Sequence, residues 1–426
     1  MITAKAFAGK KYAVYGLARS GLALAEALLA SGASVTAWDA KVEARATAPV
    51  GTVIANLDEA DLSQFDSLVV TPGLPINRHP IAQRARDAGV EIIGDIELFA
   101  RARAELPPHK VVGITGTNGK STTTALIHHI LKTAGVPTTM GGNIGLPILA
   151  QDPLPEGGVY VLELSSYQID LTQSLDCDVA VLLNITPDHL DRYENIEAYA
   201  MSKARIFEMQ SPGHVALLSR RAEKDFRVLR RALSLQVIWI DDVPIGPQSS
   251  FPSLQGNHNL QNAKAACQAS LFVGVRLGED IQGLRSFPGL SHRMERVRTL
   301  NGVRFVNDSK ATNAEAAAPA LSSFSAIRWI VGGQAKTENL GELIHHLDHV
   351  KTAYTIGEAG SLLARLLREQ GVEVVESETL ENALNHAARD SQAGDTVLLS
   401  PACASFDQFK DFEQRGDRFK DLVGAL

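Results

Sequence analysis

The sequence predicts an α/β protein of three domains, each built on a mostly parallel sheet. Short apolar runs typical of buried strands alternate with amphipathic helical segments along the chain. Several of these runs end in polar residues or glycine, at the strand ends where open α/β sheets gather their ligands. At 426 residues the chain is also too long for a single hydrophobic core.

The first domain is expected over residues 1–98 and is Rossmann-like. "KYAVYG" predicts a buried strand, "SGLALAEALLASG" a helix that ends at Gly32, and "SVTAWD" a second strand. Together they form one βαβ unit. The alternation repeats through "DSLVVTPG" and "PIAQRARDAGVEIIGD", and the helix "DIELFARAR" then leads to Pro107–Pro108.

Two further α/β patterns follow. The central domain, expected over residues 99–297, carries the strand patterns "KVVGITG", "VYVLELSS" and "VAVLLNIT" and the long helix "GNHNLQNAKAACQASLFVG". The third, expected over residues 298–426, carries "GVRFVNDSKATN", "AIRWIVGG", "TAYTIG" and "DTVLLSPA". We expect the central domain to be P-loop ATPase-like and the third to be Rossmann-like.

Composition excludes several classes of function. The net charge is −7 without a lysine or arginine cluster, so no nucleic-acid partner is expected. The apolar runs are too short for a membrane span, and the first residues lack the pattern of a secretory signal. Three widely spaced cysteines indicate a reducing compartment. We therefore expect a cytoplasmic protein. We also expect it to be a monomer that acts on small molecules.

The segment "GITGTNGKSTTT" predicts a phosphate-binding loop between a strand and a helix. It departs from the pattern G-x-x-x-x-G-K-[ST] because Ile114 stands where the first glycine is required. Unpaired N–H groups at the helix start attract phosphate oxygens, and Lys120 adds a cation at the β- and γ-phosphates. Ser121 or Thr122 can offer a hydroxyl to Mg²⁺. A capped turn with a solvated lysine is the simpler alternative, but the flanking strand and helix favour the nucleotide site.

Four other features invite a functional interpretation. "GLARSG" has Ala18 in place of the middle glycine of G-x-G-x-x-G, so both a dinucleotide site and a plain tight turn stay open. Asp39 ends the second strand, where a carboxylate can hold a ribose or a base. Glu163 and His189 follow successive strand patterns of the central domain and suit a hard cation and a phosphate or oxygen ligand.

Taken in order, these motifs resemble the Mur ligase family of ATP-dependent, amide-forming enzymes of bacterial cell-wall synthesis, to which folylpolyglutamate synthase is related. The family's phosphate loop has the form G-T-x-G-K-[ST], here "GTNGKST". The resemblance continues through "GGNIG", "ELSS", "NITPDHLDR", "MSKARIF", "GNHNLQNAKAA", "FPGLSHRME" and "NDSKATN". The C-terminal "SPACASFDQFKDFEQRG" is similar to the family member that adds D-glutamate.

The resemblance implies a reaction. The carboxylate of UDP-N-acetylmuramoyl-L-alanine would be joined to the amine of D-glutamate through an acyl phosphate, with ATP converted to ADP and phosphate, in peptidoglycan precursor synthesis. The nearest alternative is a Mur-type or folylpolyglutamate-type ligase for another amino acid. A nucleotide-binding module without ligase chemistry would not need Glu163, His189 and Lys203 together. A nicotinamide-dependent enzyme using "GLARSG" would leave the Lys120 loop unexplained.

The resemblance also assigns roles to residues. Catalytic roles fall to Lys120, His189, Lys203 and Lys310. ATP contacts fall to Gly116, Thr117, Asn118, Gly119, Lys120, Ser121, Thr122, Asn262, Arg293 and Asp308. Two Mg²⁺ ions are expected at Ser121, Glu163, His189 and Lys203, with Lys203 carbamylated by CO₂. The uridine-linked substrate is expected at Gly16, Asp39, Thr71, Pro72, Gly73 and Asn143, and D-glutamate at Lys310, Thr312, Lys336, Ser405 and Phe412.

Overall fold

The computed structural model describes residues 1–188, 192–229 and 236–426. The chain divides into two compact units. Unit 1 comprises Met1–Gly246 and Gln261–Leu284, and unit 2 comprises Pro247–Leu260 and Arg285–Leu426. No helix among the described residues is long and apolar enough to cross a membrane. The predicted α/β class with three mostly parallel sheets is confirmed.

The first sheet has five parallel strands in the order β3-β2-β1-β4-β5. They are β1 Lys11–Tyr15, β2 Ser34–Trp38, β3 Val53–Ile54, β4 Ser67–Val70 and β5 Glu91–Ile93. The helices are α1 Arg19–Ala30, α2 Val42–Ala46, α3 Pro80–Asp87 and α4 Asp95–Ala102. Strand order reverses between β1 and β4, which places a ligand crevice at their carboxyl ends.

The second sheet has six parallel strands in the order β11-β10-β9-β6-β8-β7. They are β6 His109–Thr115, β7 Thr138–Gly142, β8 Gly158–Glu163, β9 Val179–Leu182, β10 Val215–Leu218 and β11 Gln236–Trp239. The helices are α5 Lys120–Thr133, α6 Ser166–Asp170, α7 Ile196–Glu208, α8 Arg220–Asp225, α9 Asn257–Val273 and α10 Glu279–Ser286. Because β6 is central, the loop that follows it has neighbouring strand ends on both sides.

One hydrophobic core joins the first two sheets. It contains Val14 and Leu24 from the first sheet and its helix, Phe99 from α4, and Tyr160 and Leu182 from the second sheet. This shared core accounts for the grouping of both sheets in unit 1. The three expected domain ranges remain predictions.

The third sheet lies in unit 2 and has the order β12-β13-β17-β14-β15-β16. The strands are β12 Glu295–Leu300, β13 Val303–Asn307, β14 Ile327–Gly332, β15 Val350–Ile356, β16 Val374–Glu378 and β17 Thr396–Leu399. The helices are α11 Ala314–Leu321, α12 Gly360–Glu369, α13 Leu380–Asp390 and α14 Phe412–Ala425. Only the edge pair β12–β13 is antiparallel among the described strands.

Candidate active site

The predicted phosphate loop connects β6 to α5. Gly119 precedes the helix in a left-handed conformation, with φ of 86°. A Cβ atom at this position would lie 2.3 Å from Oδ1 of Asn262, so any other residue would strain the backbone and displace the Asn262 side chain. Asn262 is itself buried in α9. The structure therefore brings together two residues that the sequence assigned to ATP.

The loop is held by the segment that follows β9. The N–H of Thr117 donates to the carbonyl of Asn184 at 2.9 Å, and the N–H of Asn118 donates to Oδ1 of Asn184 at 2.9 Å. The side-chain amide of Asn184 in turn donates a hydrogen bond to the carbonyl of Asn118 at 3.0 Å. Asn184 lies in "NITPDHLDRY" but was not among the predicted site residues. Its position directly after a buried strand is the signal that would have identified it.

Two lysines meet at the carbonyl of Gly116. Lys120 Nζ donates to the carbonyls of Gly116 at 2.9 Å and Thr117 at 2.8 Å. Lys203 Nζ, from α7, donates to the same Gly116 carbonyl at 2.9 Å. Lys203 is only 1% exposed. Burial, reinforced by the charge of Lys120, holds the pKa of Lys203 well below its usual value and so favours the neutral amine.

Glu163 offers a buried oxygen that suits a metal ion. This residue ends β8, and its side chain is 2% exposed. Oε1 accepts a hydrogen bond from the side-chain amide of Asn143 at 2.9 Å, whereas Oε2 has no partner among the described residues. Ser121, in the first turn of α5, is also buried. Thr122, beside it, is half-buried.

A buried carboxylate oxygen without a protein partner fits a hard cation such as Mg²⁺. Within the described ranges no cluster of three or more histidine, cysteine or acidic side chains completes a metal site. His189, the other expected ligand, lies outside the described residues.

In the first sheet, three predicted substrate residues converge at the crevice. Gly16 follows β1 with φ of 101°, and a Cβ there would lie 2.3 Å from Oγ1 of Thr71. Asp39 follows β2 and accepts hydrogen bonds from the N–H of Leu17 at 2.7 Å and of Lys41 at 2.9 Å. The carboxylate of Asp39 therefore shapes the loops around the crevice.

Arg192 is a second residue that the sequence did not single out. Its Nη1 donates to the carbonyl of Pro72 at 3.2 Å, and its guanidinium lies 3.5 Å from the centre of the Tyr167 ring. Nη2 is buried without a hydrogen-bond partner in the described part of the chain. Arg192 thereby links the turn Thr71–Gly73 to Tyr167 in α6, the helix that follows β8, within unit 1.

Unit 2 holds the residues expected to contact D-glutamate. Lys310 Nζ lies 4.2 Å from the centre of the Phe412 ring, so these two are brought together. Lys336 lines a cavity of about 300 Å³ together with Glu338 and Glu358. Ser405 is buried, with 2% of its surface exposed. Thr312 is half-buried just before α11.

Two expected ATP contacts also lie in unit 2. Asp308 accepts hydrogen bonds from the hydroxyl of Ser400 at 2.8 Å and from the N–H of Met294 at 3.1 Å. Burial raises the pKa of Asp308 to about 7, against the opposing effects of these hydrogen bonds and of the charge of Arg293. In the same unit, burial raises the pKa of the Cys403 thiol to about 11. Cys403 is also buried, and a raised pKa disfavours the thiolate that a nucleophilic cysteine needs.

Family models match three consecutive parts of the chain. The Mur ligase MurD-like, N-terminal domain matches residues 10–94, the Mur ligase middle domain matches residues 114–242, and the Mur ligase, glutamate ligase domain matches residues 292–403. The first two ranges contain the first-sheet crevice and the phosphate loop, and the third contains Lys310, Thr312 and Lys336 of the residues expected to bind the amino acid.

Curated relatives match over the whole chain. It is 57% identical to the UDP-N-acetylmuramoylalanine--D-glutamate ligase of Novosphingobium aromaticivorans, with 100% of this chain and 97% of the relative covered. It is 55% identical to the enzyme of the same name from Sphingopyxis alaskensis, with both chains covered completely.

Solved structures show the same fold at low identity. MurF ligase from Thermotoga maritima in complex with ADP superimposes with a TM-score of 0.59 at 16% identity, covering 98% of this chain and 96% of that one. UDP-N-acetylmuramate-alanine ligase MurC from the same organism gives a TM-score of 0.58 at 17% identity, covering 98% and 99%. By its sequence over the full length and by its fold, this chain belongs to the Mur ligase family.

Proposed function

We propose that this protein joins D-glutamate to UDP-N-acetylmuramoyl-L-alanine at the expense of ATP. The observation that carries the proposal is the group of residues around the phosphate loop. Lys120 and buried Lys203 both donate hydrogen bonds to the Gly116 carbonyl. The negative charge of Glu163 lies close enough to raise the pKa of Lys203, against the larger effect of burial. A nucleotide-binding module needs the loop alone. The extra buried lysine and carboxylate fit a site that neutralises and positions a phosphoryl group in transfer.

The chemistry follows from the weakness of a carboxylate as an electrophile. The substrate carboxylate oxygen attacks the γ-phosphorus, and the bond to ADP breaks. The amine of D-glutamate then attacks the acyl carbon, the C–N bond forms, the amine loses a proton, and phosphate leaves with the electron pair. Lys120 would bind the phosphates, as would the loop Gly116–Thr122. Asn262, Arg293 and Asp308 would hold the rest of the nucleotide.

Two Mg²⁺ ions would be held by Ser121, Glu163, His189 and Lys203, and when bound they would neutralise phosphate charge. The unpartnered Oε2 of Glu163 supports this assignment. Lys203 would contribute as a carbamate. Its lowered pKa supports the modification, because only a neutral amine reacts with CO₂.

The two other substrates would occupy the remaining predicted residues. Gly16, Asp39 and the turn Thr71–Gly73 would hold the uridine end, and Asn143 the muramoyl part or a phosphate. Lys310, Thr312, Lys336, Ser405 and Phe412 would bind D-glutamate, a dicarboxylate suited to lysine and hydroxyl partners. We propose that the enzyme acts as a cytoplasmic monomer, with its three domains at the expected ranges.

Phosphate release from ATP tests the proposal. The assay contains UDP-N-acetylmuramoyl-L-alanine, and each candidate amino acid is added in turn. We expect release and a new amide product only with D-glutamate. Release stimulated by another amino acid would assign the chain to a different ligase of the family, and indifference to all amino acids would remove the ligase function.

A further inference from the structure

Arg415 is a buried cation that lies in the field of Asp407 but forms no ion pair with a described carboxylate. It lies in the first turns of α14, and 1% of its surface is exposed. It forms no ion pair among the described residues, and its hydrogen bonds go to a hydroxyl and to backbone carbonyls. Burial lowers its pKa to about 10, which still leaves the guanidinium charged at neutral pH. Burying such a charge is costly, so its contacts need an explanation.

The guanidinium contacts three separate loops. Nη2 donates to the carbonyls of Ser309 at 2.9 Å and Cys403 at 3.1 Å. Nη1 donates more weakly to the carbonyls of Ala404 at 3.4 Å and Gly332 at 3.5 Å. Ser309 follows β13, Cys403 and Ala404 follow β17, and Gly332 is the last residue of β14. These three strands are neighbours in the sheet, so the three loops leave neighbouring carboxyl ends.

Each of these loops carries a residue proposed to bind D-glutamate. Lys310 directly follows Ser309, Ser405 directly follows Ala404, and Lys336 lies in the loop that leaves β14. The planar guanidinium of Arg415 therefore donates hydrogen bonds to backbone carbonyls that lie beside three residues proposed to bind the same small substrate.

A fourth pocket residue is connected through Ser309. Nε of Arg415 donates to Oγ of Ser309 at 3.0 Å, and that hydroxyl donates to the carbonyl of Phe412 at 2.8 Å. The approach of Arg415 also requires a glycine in the loop after β14. A Cβ at Gly333 would lie 3.1 Å from Nη1 and 2.2 Å from the carbonyl oxygen of Ala404.

We propose that Arg415 is the positioning residue of the D-glutamate pocket. Through its hydrogen bonds it fixes the spacing of the loops that carry Lys310, Ser405 and Lys336, and it does not touch the substrate. The inference rests on the proposed function. Its consequence is selective: loss of Arg415 disturbs the binding of the amino acid and leaves the nucleotide loop of unit 1 unchanged.

Steady-state kinetics of Arg415→Met and Arg415→Lys test this role. We expect Arg415→Met to raise the KM for D-glutamate roughly 10- to 100-fold, because displacements near 1 Å have effects of that size. The KM for ATP should rise less than the KM for D-glutamate, because Asp308 is the proposed ATP contact that adjoins a residue hydrogen-bonded to Arg415, whereas the phosphate loop lies in unit 1. Arg415→Lys keeps the charge but not the planar fork, so it should raise the KM for D-glutamate less than Arg415→Met does.

Arg418→Met is the matched control, since Arg418 is exposed on the same helix and pairs with Glu381 at 2.9 Å. Thermal unfolding of each variant reports on folding. A purely structural role would lower the active fraction and kcat at an unchanged KM for D-glutamate, and this result would overturn the inference. If Arg415→Met does not fold, a wild-type KM in Arg415→Lys overturns it equally. Absence of D-glutamate-dependent release in the wild type would instead count against the proposed function.

Discussion

At the scale of single residues, burial decides what Lys203 can do. Without the family resemblance the sequence favours a solvated helix lysine, because "MSKARIF" carries no sign that this side chain points inwards. In the structure it is 1% exposed and bonded to the carbonyl of Gly116. Burial and the neighbouring Lys120 hold the pKa of Lys203 well below its usual value.

We predict that Lys203→Ala lowers turnover by at least roughly a hundredfold, the usual cost of removing a group that stabilises charge in a transition state. Added bicarbonate should not restore activity, because alanine has no amine to modify. Phosphate release is the measurement, and Lys132→Ala, an exposed lysine of α5, is the control. Near-wild-type turnover of Lys203→Ala would remove this residue from the mechanism.

Other residues show where sequence reasoning stops. Asp39 was correctly placed at a strand end, but its hydrogen bonds to two backbone N–H groups follow from the path of the loops and cannot be read from residue order. Asn184 and Arg415 were not identified for a related reason. Their roles arise from contacts with residues that are distant along the chain.

At the scale of elements, strands with uninterrupted apolar runs were predictable, whereas edge strands were not. The central strands β6, β8 and β9 are almost entirely buried and have apolar sequences. Strands β3 and β16 lie at sheet edges, are partly exposed, and contain too few consecutive apolar residues to stand out. The antiparallel pairing of β12 depends on the tight connection to β13, which periodicity does not encode.

The phosphate loop yields a prediction at the same scale. Gly119 and Gly135 flank α5, and both have positive φ, 86° and 76°. Alanine at either position adds backbone strain of about 1–2 kcal/mol. Only at Gly119 does the added Cβ also collide with Asn262, whereas nothing lies within 4 Å at Gly135. We therefore expect Gly119→Ala to weaken ATP binding at least roughly tenfold, which corresponds to about 1.4 kcal/mol.

Calorimetric titration with a non-hydrolysable ATP analogue measures this effect. Gly135→Ala should lose stability to a similar degree but bind the analogue as wild type does. Equal affinity losses in the two variants would mean that general strain, and not the fit of the loop against Asn262, explains the result.

At the scale of the whole molecule, the nucleotide phosphates and the amino acid are proposed to bind to different units, while the expected ATP contacts Arg293 and Asp308 lie in unit 2 with the amino-acid residues. The phosphate loop belongs to unit 1, and Lys310, Lys336 and Ser405 belong to unit 2. A substitution in the amino-acid pocket should therefore change the response to D-glutamate without changing the affinity of the loop for nucleotide.

Lys336→Ala makes this division measurable. Loss of a charged hydrogen-bond partner costs about 1.5–3 kcal/mol, so the KM for D-glutamate should rise roughly 10- to 150-fold. The dissociation constant of the ATP analogue should be unchanged. Lys420→Ala is the control, because Lys420 is an α14 lysine already paired with Asp417 at 2.9 Å. If nucleotide affinity fell in parallel with the response to D-glutamate, the two functions would not be separable by unit, and Lys336 would act on the nucleotide as well.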